Sequence, residues 1–376
     1  MPKILIGADI VPTESNVSLF REGDASALVG ENLLRLFREA DYSVLNLEVP
    51  LTDKKTPIAK CGPNLIAPAD TVQGLKALGV SFLALANNHI LDQDVQGLVS
   101  TVKSLEENGI AHAGTGDNLQ EAKKPYVVNV HGIRIGIYCC AEHEFSIAGG
   151  NRPGANPFDP LESFDHVRAL RSRCDLLLVL YHGGKEHYRY PSPMLRKVFR
   201  KFASCGADFV IAQHTHCIGC EEVYQGSRLV YGQGNFLFDR SDSEFWQTSL
   251  LMVVSTDGKG HACEYIPLRK HGETVRAAEG TDRENILAEF QARSREIEQD
   301  SFVERRYAEF AEEMRNTYLQ RLSGNMGRFL PVRVLNRLCG RKLFGWLHGK
   351  EARLDVENCL DCEAHRELLL TGLRLK

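Results

Sequence analysis

Five short segments of this chain set polar side chains at the ends of β-like apolar runs, and together they hold the donor types of a metal centre. They are Asp9 in KILIGADI, Glu48 in YSVLNLEVP, Asn87-Asn88-His89 in SFLALANNH, His182 in CDLLLVLYHGG, and His214 and His216 in ADFVIAQHTH. Residues just past the carboxyl ends of strands line the ligand crevice of an open α/β sheet, so five such ends can converge on one site. A mixed Asp, Glu, Asn and His set in one crevice reads as a metal centre, and six or more donors suffice for two ions. Taken singly, each signal is weak. A lone strand-end Asp such as Asp9 is most often a cap or turn residue, and His182 reads equally as a satisfied core histidine. Glu48 is harder to dismiss: LNLEV is too apolar for a solvated edge, so a carboxylate there must be paired, protonated or metal-bound. In extended backbone i and i+2 point the same way, so His214 and His216 could reach two adjacent ions.

The elements that must position these residues alternate between strand and helix over roughly the first 270 residues, which argues for an α/β domain. Helices are expected over GENLLRLFREA, over ADTVQGLKALG before the NNH cluster and over DVQGLVSTVKSLEENG after it, the last two stopped by Gly79 and Gly109. YVVNVHGIRIGIYCCA reads as a hairpin around His131-Gly132, and DHVRALRSR and PMLRKVFRKFASCG flank the His182 strand as helices. From Cys220 to Arg269 the pattern is mostly β, with Asp257-Gly258 as a turn. An α/β half followed by short antiparallel strands predicts two mixed sheets packed face to face with helices outside, a four-layer α/β/β/α sandwich over residues 1–275. Beyond Gly280 a helical extension is expected over 280–376, with Thr281-x-x-Glu284 and Ser301-x-x-Glu304 reading as capping boxes.

Composition excludes several classes. With 43% hydrophobic and 25% charged residues among 376, the chain buries an ordinary core. A formal net charge of -4 argues against a wholesale nucleic-acid binder. Met1-Pro2-Lys3 runs straight into the first strand without a secretory pattern, and no apolar run is long enough to span a bilayer. Eleven scattered cysteines fit reduced thiols and a cytoplasmic location better than a disulfide framework.

Asp9, NLE, NNH, His182 and His214-x-His216, in this order, resemble the motifs of the calcineurin-like metallophosphoesterases. NLEVPLT, ALANNHILDQDVQGLVSTVKSLEENGI, AGTGDNLQEAKKP and YGQGNFLFD are closer still to the CapA family of capsule and poly-γ-glutamate synthesis, over roughly residues 3–270. The resemblance implies a two-ion site for manganese, iron or zinc: Glu48 as the bridge, Asp9 and His216 on one ion, and Asn88, His182 and His214 on the other. It further implies His89 as general acid with Asp92 as its orienter, and Asn235 as a substrate contact. Asn87 is a further substrate-contact candidate, and Lys185 and Glu186, which follow His182 closely, either contact an anionic substrate or are plain surface-loop residues. The implied partners are an anionic phosphoester or polymer substrate and other capsule-synthesis proteins. Three departures from the wider superfamily stand out. Val11 occupies a position where many members carry a histidine, the bridge is Glu rather than Asp, and Gln213 replaces a glycine. The ion held by Asp9 and His216 therefore has fewer protein donors.

Two features lie outside these motifs. Cys217-x-x-Cys220 and Cys359-x-x-Cys362 could in principle assemble a four-cysteine zinc site, against the commoner reading of plain thiols. From Met314 to Lys350 there is no Asp or Glu, and Arg and Lys alternate with Leu, Val, Phe and Trp346. That stretch is either a helical pack with arginines in water or an amphipathic surface for anionic membrane or glycan. The leading expectation is a dinuclear metal-dependent phosphoesterase in cell-surface polymer metabolism. The alternative is a non-catalytic or amide-directed accessory factor that keeps the metal fold as a binding platform.

Overall fold

The strand Leu176–His182 explains the architecture in miniature. All seven of its residues are buried, but they divide by parity. Leu176, Leu178 and Leu180 join one hydrophobic cluster with Ile4, Ile6 and Val44, whereas Leu177, Val179 and Tyr181 join another with Val167, Leu170, Phe199 and Phe202. A strand whose alternate faces both meet apolar layers must lie between them. The first layer is a second sheet, and the other is the helix pair Ser163–Arg171 and Pro193–Ser204.

The computed structural model describes residues 1–374. One sheet runs in the order Thr274–Ala277, His261–His271, Thr248–Thr256, Lys3–Val11, Tyr42–Leu47, Phe82–Ala84, Ala111–Ala113, and Asn235–Phe238 also pairs with Lys3–Val11. Lys3–Val11 through Ala111–Ala113 are parallel, and the opposite edge is antiparallel. The other sheet runs Glu221–Tyr224, Ser227–Val230, Phe209–Gln213, Leu176–His182, Ile133–Ala141, Tyr126–Val130 and is likewise mixed. Helices Ala25–Glu39, Val72–Ala77 and Asp94–Glu107 bury Leu33, Leu34, Phe37, Leu75, Leu98 and Leu105 beside the first sheet. The expected four-layer sandwich of two mixed sheets is what forms.

Local signals mostly act as expected. Val130 pairs with Ile133 around His131 (φ +51°) and Gly132 (φ +86°), a two-residue hairpin turn with both centres left-handed. Asp257-Gly258 turns the chain inside a four-residue loop, Asp257 accepting from the backbone N–H of Lys259 and Gly260. The Thr281 capping box does not form. The helix Gly280–Glu296 starts one residue earlier, so Thr281 lies within its first turn and makes no cap.

Two compact units emerge, Met1–Val303 and Glu304–Lys376. Gly280–Glu296 belongs to the first, where Ile286 and Phe290 pack with Ile218, Leu250, Ala278 and Tyr265. Its carboxyl end is tied by Arg196, whose guanidinium donates to the Ile297 carbonyl (2.8 Å) and to Glu222 (2.9 Å). Glu222 also accepts from Arg200 (2.7 Å) and the Tyr231 hydroxyl (2.6 Å). Burial raises the Glu222 carboxyl, but Arg200, Arg196 and Tyr231 outweigh it and hold it below its usual range. Glu222→Ala strands these donors and is expected to cost about 3 kcal/mol in urea denaturation. Because the folded carboxyl is the stronger acid, its contribution is complete above the unfolded pKa and fades as pH falls through the folded one. The second unit is helical, with Leu319 and Phe344 its buried apolar side chains.

Candidate metal centre

The predicted donors meet at the carboxyl ends of parallel strands from both sheets. Asp9 lies near the end of Lys3–Val11, where the pairing with both neighbouring strands slips register. It is fully buried. Its Oδ1 accepts from Asn46 Nδ2 (2.7 Å) and its Oδ2 from the His214 backbone N–H (3.1 Å), so one carboxylate ties both sheets together. Glu48 is the first residue past Tyr42–Leu47. It is 0% exposed, and neither of its oxygens accepts a hydrogen bond among the described residues. His182 Nε2 stands 3.2 Å and His214 Nδ1 3.8 Å from Glu48 Oε1, near enough for charge to act between them. Glu48, His214 and His216 each offer a ligand atom within 4.8 Å of the others.

His182 ends its strand on the inward parity. Its Nε2 is 2.9 Å from Asn88 Oδ1 and its Nδ1 is 3.3 Å from Asn46 Nδ2. Asn88 is oriented from the other side, its Nδ2 donating to Glu144 (2.9 Å), which aims the amide oxygen at the cluster. His214 and His216 do not converge through an extended strand as the spacing alone predicts. The strand stops at Gln213, and both histidines are left-handed, at φ +85° and +53°. Such backbone costs roughly 1–3 kcal/mol per residue and is held here from outside. Asp9 takes the His214 N–H, Asn235 Oδ1 meets His216 Nδ1 at 2.8 Å, and Trp246 stacks on the His216 ring at 4.7 Å.

The electrostatics of this crowd are frustrated. Burial, then the Glu48 charge, push the Asp9 carboxyl well above its usual range. Burial opposes ionisation of Glu48 too, but His216 and His182 outweigh it and hold that carboxyl well below its usual range. Burial depresses His182 to about 4, leaving a neutral imidazole with a lone pair to donate. His214 is carried to about 9, its own burial overcome by Glu48. Glu48, a buried carboxylate with no hydrogen-bond donor, lies among three imidazoles beside Asp9, a donor set that a divalent cation satisfies.

His89 stands apart from this cluster. Its Nδ1 donates to Asp92 Oδ2 (2.5 Å), which leaves Nε2 for a ligand, and Asp92 also accepts from the Leu65 backbone N–H (2.6 Å). Lys60, 2% exposed at its side chain, completes the group by pairing with Asp92, its Nζ 3.2 Å from His89 Nδ1. Asn87 is fully buried, and its amide is spent within the fold on Leu47 O (2.8 Å), Asn46 Oδ1 (3.3 Å) and the His89 N–H (3.1 Å). It shapes the NNH loop rather than facing a ligand. Lys185 and Glu186 are half-buried in the loop after His182, with Glu186 Oε1 3.8 Å from His214 Nε2. Asn235 Nδ2 is buried and unpartnered.

Several residues here escaped sequence reasoning. Asn46 was visible inside NLE as a polar side chain in an apolar strand. Lys60, Glu144 and Trp246 carried no local signal, because only tertiary packing brings their loops to the site. Cys217 and Cys220 are buried in the core; burial pushes the Cys217 thiol up to about 11. No Cys-based metal group occurs among the described residues.

An α/β/β/α sandwich with imidazole and carboxylate donors gathered at its strand ends defines a class of proteins suited to hold divalent cations. The chain belongs to the bacterial capsule synthesis protein family PGA_cap, whose model matches residues 4–240. It is 29% identical over 241 residues to the capsule biosynthesis protein CapA of Bacillus anthracis, covering 61% of this chain and 58% of that one. With the PGA biosynthesis protein CapA of Bacillus subtilis it shares 29% identity over 244 residues, 64% of each chain. The chain thus spans about three fifths of the length of these two relatives. A putative 5'-nucleotidase of Staphylococcus aureus aligns with a TM-score of 0.44 at 13% identity, over 77% of this chain and 58% of its own, too loosely to bear on activity.

Proposed function

We propose that this protein is a divalent-metal-dependent hydrolase of phosphoesterase type that acts in the synthesis of a capsule or other cell-surface polymer. The observation that carries the reading is Glu48, a fully buried carboxylate without a hydrogen-bond donor between His182 and His214. In this reading Glu48 with Asp9 and His216 would hold one ion, and Glu48 with Asn88, His182 and His214 would hold the other. Manganese, iron and zinc all suit such ligation. Bound there, the ions would polarise a phosphoryl oxygen and supply a nucleophile at neutral pH. The chain's own residues do the rest. Asn46 and Glu144 orient donors, Trp246 and Asn235 fix the His216 ring, and His89 delivers a proton from Nε2 to the leaving oxygen while Asp92 holds Nδ1. Lys185 and Glu186, beside the imidazoles, contact the anionic substrate.

Val11 favours the second reading, that of a non-catalytic or amide-directed accessory factor in polymer assembly. It is a 2% exposed core residue and adds no donor beside Asp9. Elemental analysis and turnover of phosphomonoesters and phosphodiesters with added manganese separate the two. Two ions per chain and hydrolysis lost on chelation are expected. Bound metal without turnover, together with affinity for an anionic polymer, would move the protein to the accessory role.

A further inference from the structure

We propose that the helix Leu330–Leu338 of the second unit, with its flanking basic residues, is a docking surface for anionic lipid membrane. A surface helix of a soluble unit ordinarily turns its apolar stripe inward, and this one is inverted. Asn336 faces in and is 6% exposed; its Nδ2 donates to Gln320 Oε1 (3.1 Å) and its Oδ1 accepts from the Leu343 N–H (3.2 Å). Leu330, Val334 and Leu338, one turn apart along the same side, are 66%, 52% and 79% exposed. Leu335 borders them, and Phe329 (61%) and Met326 (51%) lie just before the helix. Contiguous exposed apolar surface of this kind marks an interaction site.

The charge around it selects the partner. Arg333 and Arg337 edge the apolar face, and Arg328, Arg341 and Lys342 flank it, all of them exposed. No Asp or Glu lies between Met314 and Lys350. A groove for another protein would need matched acids and bases, whereas an apolar stripe rimmed by uncompensated cations matches a bilayer interface with anionic headgroups. No helix among the described residues is long and apolar enough to cross a membrane, so the contact is peripheral. The proposal stands independently of the metal site.

Co-sedimentation of the full chain with vesicles of phosphatidylcholine containing one-third phosphatidylglycerol, against phosphatidylcholine alone, tests it. The wild type is expected to pellet with the anionic vesicles, to release at high salt, and to show a Trp346 emission blue shift absent from Trp346→Phe. The double variant Arg333→Glu/Arg337→Glu should bind ~30-fold more weakly or worse, and Val334→Ser/Leu338→Ser should also lose binding, both with unchanged thermal midpoints. Equal binding to neutral vesicles, or none to either, would overturn the proposal. So would concentration-dependent dimerisation without lipid that Val334→Ser/Leu338→Ser abolishes, which would assign the face to a second copy of the chain.

Discussion

Replacing Glu48 with glutamine is expected to lower the thermal midpoint of the chelator-treated protein and to abolish the stabilisation that manganese brings to the wild type. Both losses have one cause. The imidazoles around Glu48 hold its carboxyl well below its usual range, so its charge stabilises the folded state at neutral pH, and glutamine keeps the shape without the charge. With manganese at 100 times its Kd, the wild type gains about 2.7 kcal/mol, a shift of roughly 5 °C for a unit of this size. The variant should show little of that shift and bind less than one ion per chain. Scanning calorimetry with and without metal reads both effects, and a full manganese shift in Glu48→Gln would remove Glu48 from the centre.

The second large effect concerns the proton rather than the ions. His89→Ala should lower kcat on a phosphoester by about 10²–10⁴-fold while leaving metal content unchanged, because His89 points Nδ1 at Asp92 and not at the donor cluster. Lys60→Met should act through the same group. It leaves Asp92 buried with only the Leu65 N–H and His89 to meet its charge, so the ring loses its fixed tautomer and orientation. A tenfold or larger fall in kcat with little change in KM is expected, on the order of what outer-shell partners contribute, with partial recovery in Lys60→Arg. A His89→Ala variant with wild-type turnover would move the general acid elsewhere; a Lys60→Met variant with normal kcat would leave Lys60 a purely structural ion pair.

The two effects separate because the site has two parts with different legibility in the sequence. Five strand-end clusters were readable, since apolar runs define strands and parallel strands present their carboxyl ends to one crevice. That Asn87 spends its amide within the fold was not readable, and neither was the inverted helix Leu330–Leu338. Its alternating pattern announces an amphipathic helix, but which face turns outward depends on Asn336 finding Gln320 and the Leu343 N–H.

What the sequence determined by itself was the set of donor types, their order along the chain and the two-sheet sandwich that must carry them, because hydrophobic periodicity and strand ends are local properties. Only the tertiary structure decided how the donors meet. The left-handed turns at His214 and His216 are held by Asp9, Asn235 and Trp246, and the Lys60–Asp92–His89 group joins a loop to the NNH segment. Strained backbone and buried ion pairs persist only when residues distant in sequence hold them in place, and that information lies in the packing rather than in any one segment.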